Sequence, residues 1–123
     1  MRYDVFKSIK FVAPKATSES VGNVAKFTLG GKFVALISCT KNHGGGGAII
    51  AITEMEFATK RVSAQYVCNS MINVELYKDE EYNFYITGLN NYSEVSGLAL
   101  CGDIESISTV QSLPGGVSKV NIT

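Results

Sequence analysis

His43-Gly44-Gly45-Gly46-Gly47 is the run with the most direct chemical reading. A histidine followed by glycines can aim backbone N–H groups at a developing oxyanion, but such a hole serves a serine on a GxSxG elbow. The nearest segment, Glu94-Val95-Ser96-Gly97, lacks the first glycine, and the chain has a single histidine. Base and loop roles would fall on one residue, so acyl transfer is set aside. The run then reads as a glycine-rich tip between two apolar strands. Glycine also lets a backbone approach a ligand closely, which keeps His43 as a candidate ligand contact.

Other constellations fail on their spacing. Gly30-Gly31-Lys32 is followed by Phe33 rather than Ser or Thr and lacks the first glycine of a phosphate-binding loop. Cys39, Cys68 and Cys101 form no CxxC pair, and with one histidine a zinc site lacks ligands. Each cysteine closes an apolar run, so three small buried thiols are expected, with a single bridge as the alternative. An odd count without a secretory signal points to a reducing compartment. Glu54 with Glu56, and Asp79-Glu80-Glu81, read as solvated turn charges rather than a glycosidase pair. The expectation is a protein that is not an enzyme and carries no cofactor or metal.

Aromatic residues give the more useful signal. Tyr77, Tyr82, Phe84, Tyr85 and Tyr92 crowd one stretch, which also holds Asn90 and Asn91. An exposed tyrosine ring covers the C–H face of a sugar while neighbouring amides meet its hydroxyls. Cross-strand aromatic packing is the alternative use of such rings, and Tyr77 and Tyr85 are placed to meet on an exposed face. Asn90, Asn91 and Tyr92 are the ligand-binding candidates, with His43 beside them.

The scaffold for these residues is legible in the rhythm of the chain. At 123 residues, 46% of them apolar, it is expected to form one domain with a real core. Eleven basic residues balance eleven acidic ones, which argues against a partner as charged as nucleic acid. The apolar run Phe33–Ile37 is far short of the ~18–20 residues of a membrane span, so no membrane insertion is expected. Asp4, Lys7, Ser8 and Lys10 break the N-terminal apolar run, so no secretory signal is read there.

No window keeps a helical period. Short runs rich in Val, Ile, Tyr, Phe and Thr alternate with Gly, Asn, Ser and Asp. They predict ten strands: Asp4–Val12, Asn23–Leu29, Lys32–Thr40, Ala48–Met55, Arg61–Asn69, Met71–Tyr77, Tyr82–Thr87, Val95–Cys101, Ile104–Val110 and Val117–Ile122. Leu29-Gly30-Gly31-Lys32 is predicted to be a two-glycine hairpin turn. Phe33–Ile37 and Ala48–Ile52 are apolar on both faces, as in central strands or strands with one face against a second subunit. The fold class is all-β, an antiparallel, jelly-roll-like β-sandwich without substantial helix.

Met71-Ile72-Asn73-Val74-Glu75-Leu76-Tyr77-Lys78, a charged tip, Tyr82-Asn83-Phe84-Tyr85-Ile86-Thr87 and then Asn91-Tyr92-Ser93 resemble the C-terminal receptor-binding heads of bacteriophage tail fibres. The central strand at 33–38 and the glycine-rich tip returning in Ala48–Ile52 are similar too. The resemblance spans residues 1–112 and is one of strand rhythm. It implies a homotrimeric virion protein, assembled in the host cytoplasm, that binds a host cell-surface saccharide or protein. Residues 1–20 would be an entry strand and loop from a preceding stalk. The alternatives are a capsid decoration or baseplate piece, or a free-standing bacterial carbohydrate-binding module.

Overall fold

A computed structural model describes residues 10–42 and 45–123. Among these, the regular elements are β1 (Lys10–Ala16), β2 (Val24–Thr40), β3 (Gly47–Glu56), β4 (Arg61–Ser70), β5 (Glu75–Lys78), β6 (Asn83–Thr87), β7 (Glu94–Ile104), β8 (Ser108–Val110) and β9 (Ser118–Val120). All of their pairings are antiparallel, so the all-β class is correct. His43 and the N-terminal part of the predicted strand Asp4–Val12 lie outside the described residues.

One strand organises the rest. β2 runs for 17 residues without turning, so Gly30-Gly31 is not a hairpin. Its first half pairs with β6 on one edge and β8 on the other, with Ala25 opposite both Ile86 and Thr109. Its second half lies between β3 and β7, with Ala35 opposite both Ile52 and Ala99. β7 and β8 follow the same edge of β2, joined by the Glu105 N–H donating to Thr28 O at 2.9 Å. The other edge forks: β3 and β4 leave one way, and β6, β5 and β9 the other.

The branches meet again where Ala64 bridges Ile122, with Tyr66 N–H to Thr123 O at 3.0 Å and Thr123 N–H to Ala64 O at 3.1 Å. The sheet is thereby nearly closed into a barrel, which leaves few free edges. At the fork β2 spends extra residues, since its register with β7 jumps from Gly30–Asp103 to Val34–Cys101. Gly31 has φ +67°, and on β7 Gly102 has φ +78°. A Cβ on Gly102 would lie 2.6 Å from Gly30 O and 2.9 Å from Phe33 Cα. Paired glycines supply the left-handed backbone a sheet corner needs as readily as that of a hairpin, which is why the predicted turn is a bulged corner.

Alternation places the core as the pattern predicts over most strands. Phe33, Ala35 and Ile37 point inward with Ile50 and Ile52, and Ile72, Val74 and Leu76 are all buried. An aromatic cluster fills the space beneath the fork. Phe84 stacks on Phe27 with centroids 5.5 Å apart and meets Phe33 edge-on at 6.1 Å.

Two expectations are corrected. Cys39 is buried, and burial pushes its thiol up to about 12, but Cys68 and Cys101 are exposed. Alternation would aim both of the latter inward, but register shifts beside Cys68 in the β3–β4 ladder and beside Cys101 in the β2–β7 ladder flip them out. Tyr77 and Tyr85 do sit opposite each other, yet Tyr85 is buried rather than exposed.

Candidate functional site

Two places on this scaffold gather polar and aromatic groups. The first is the end of the barrel where the loop after β2 meets the loop after β6. Asn90 is the hinge pin. Its Oδ1 accepts the Asn42 N–H at 3.1 Å and the Ser93 hydroxyl at 2.5 Å, and its Nδ2 donates to Asn42 O at 3.2 Å. Thr17 and Ser93 are fully buried beneath it. The Thr17 hydroxyl donates to Asn90 O at 2.5 Å and accepts the Ser93 N–H at 3.0 Å.

The loop is therefore rigid, and Asn90 is committed to holding it rather than free to meet a ligand. Replacing Asn90 with Ala is expected to cost about 1–3 kcal/mol, read by urea denaturation, because the Asn42 and Ser93 groups lose their partner. Tyr92, φ +64°, projects from this platform with 65% of its surface exposed. Asn91 Oδ1 is buried and has no hydrogen-bond partner among the described residues. The clamp thus brings the tip around Asn42, next in sequence to His43, against the Asn90–Tyr92 loop. Sequence reading missed Asn42, Thr17 and Ser93. Only the short Asn90-to-Ser93 spacing carries a local signal for such a turn.

The second place is a cavity of about 590 Å³ at the fork, lined by Leu29–Lys32, Glu54, Phe57, Lys60, Glu81 and Tyr82. Asp79 fixes the turn that carries Glu81 and Tyr82 to it. Its carboxylate accepts the Glu81 and Asn83 N–H groups at 2.8 and 3.0 Å and the Asn83 amide at 2.9 Å. Partial burial works against that charge, but the bonds from Asn83 and Glu81 hold its pKa below the usual value. The turn so fixed keeps Tyr82 at φ +63° with its carbonyl accepting the Leu29 N–H at 3.1 Å.

Tyr82 is 5% exposed, and its hydroxyl and Glu54 Oε2 are both buried without a well-formed hydrogen bond among the described residues. Burial pushes the phenol up to about 12, and the adjoining Glu54 carboxylate adds to that. Glu54 is accordingly not the solvated turn charge that the sequence suggests. Opposite, the β3–β4 turn closes with the Lys60 N–H donating to Phe57 O at 3.2 Å. Lys60 takes φ +56°, and its ammonium lies 3.6 Å from the Phe57 centroid and 4.9 Å from that of Tyr82.

No group of three or more His, Cys, Asp or Glu side chains among the described residues is placed to hold a metal ion. No protein-family model matches the chain, and no curated protein or solved structure is found to be similar to it.

Proposed function

We propose that this chain is the receptor-binding head of a bacteriophage tail fibre, a virion protein that holds a host surface saccharide at the Asn90–Tyr92 end of the barrel. The observation that carries the reading is Tyr92, an exposed ring on a loop made rigid from below by Asn90, Thr17 and Ser93. A ring on a preorganised platform binds a sugar face with little ordering cost.

Assembly as a homotrimer is part of the proposal. A shallow groove on the outer face of β2, β3 and β7 is lined by Leu36, Ser38, Ile49, Ser96, Gly97 and Leu98 and has no charged residue. A neutral apolar face suits a second copy of itself. A mass of three times 13.2 kDa by light scattering is the expected result, whereas a monomer would favour a free-standing binding module.

Tyr92→Ala is the test of the site. It is expected to remove binding to host cells while shifting the melting temperature by less than about 3 °C, since the ring is exposed. Undiminished binding by this variant, or a large loss of melting temperature, would overturn the assignment.

A further inference from the structure

The cavity at the fork has features that neither the barrel nor the Tyr92 loop requires. Two aromatic faces, Phe57 and Tyr82, converge on one ammonium group, and Phe57 keeps 66% of its surface exposed in a position that contributes nothing to the core. Lys60 makes no ion pair among the described residues, so its charge is answered by the two rings. Below them, the Tyr82 hydroxyl lies buried beside the Glu54 carboxylate, neither with a well-formed hydrogen bond among the described residues.

We propose that this cavity is a binding site for an ammonium-bearing ligand, and that Lys60 occupies it in the free protein as an internal stand-in. An incoming cation takes the place of the Lys60 ammonium between Phe57 and Tyr82, and Lys60 swings into solvent. The lining that remains then carries Glu54 and Glu81 against Lys32, and Lys78 nearby brings the charges level, so the preference for a cation rests on the two ring faces. Lys78, whose ammonium is 5.9 Å from the Tyr82 centroid, is the other cation on that ring. An anionic ligand would instead face two π clouds. The cavity volume, about 590 Å³, admits a small amine or the amine end of a larger molecule. This site is independent of the Tyr92 loop.

Titration of the full chain with choline chloride, against its neutral isostere 3,3-dimethylbutan-1-ol, tests the proposal by calorimetry and by the ring resonances of Phe57 and Tyr82. The expected result is binding of choline and none of the alcohol. Lys60→Gly removes the competitor and suits φ +56°, and it should tighten choline binding about fivefold, because the open state is no longer shared. Lys60→Asn, equally compatible with that backbone, should do the same. Phe57→Ala, at an exposed position, should weaken binding roughly tenfold. Detection of choline binding only in the Lys60 variants supports the proposal as well. Absence of choline binding in both Lys60 variants, equal affinity for the neutral alcohol, or indifference to Phe57→Ala would overturn it.

Discussion

Phe84→Ala is expected to destabilise the protein by about 3–5 kcal/mol, most of the stability of a typical small domain. Phe84 is fully buried and touches every part of the aromatic cluster. It stacks on Phe27 at 5.5 Å and on Tyr82 at 6.2 Å, and meets Phe33 edge-on. Phe27 and Phe33 lie on opposite sides of the bulged corner in β2, so this one ring fills the junction from which the two branches diverge. Truncation leaves a cavity where the backbone is already fixed by the Gly31–Gly102 approach, and collapse is therefore poor. Urea denaturation would show a lower midpoint at unchanged slope. Phe57→Ala, at an exposed aromatic that shares the Lys60 ammonium with Tyr82, is the control and should cost less than about 1 kcal/mol.

Gly46→Ala is expected to cost roughly 2–5 kcal/mol and to abolish binding at the Tyr92 loop as well. Gly46 has φ +92°, and a Cβ there would sit 2.0 Å from Ser70 O and 2.8 Å from the Met71 carbonyl, both backbone. Neither side can yield, because the loop after β2 crosses the end of β4 at this point. Gly46 O also accepts the Lys41 N–H at 2.8 Å. Any displacement is thus passed to Asn42 and through it to Asn90. Gly115→Ala, where a Cβ meets nothing within 4 Å, is the matching control and should leave both stability and binding unchanged.

These two residues also mark what could and could not be read in advance. Strand alternation is a local property, so Ile72, Val74 and Leu76 could be assigned to the core, and Phe84 placed on one face with Tyr82 and Ile86, from spacing alone. The fork could not. Gly30-Gly31 offers the same backbone freedom to a hairpin and to a sheet corner, and the decision rests with Gly102, far away on β7. Register shifts in two different ladders, β3–β4 and β2–β7, turned Cys68 and Cys101 to the surface against their alternation.

At the loop end, residue type made Asn90, Asn91 and Tyr92 candidates. The division of labour among them was not visible, because Asn90 finds its partner in Asn42, 48 residues away. The fork cavity was hidden more deeply. Glu54 read with Glu56 as a solvated turn charge, Phe57 and Lys60 carried no signal of their own, and Tyr82 comes to them from the other branch of the sheet.

The most direct test of the account is a glycan array probed with the full chain and with Tyr92→Ala. The account predicts that the wild-type chain selects a small set of bacterial surface saccharides and that the variant retains none of them at comparable concentration. Failure of the wild-type chain to bind any saccharide, or the same set bound equally by Tyr92→Ala, would contradict it.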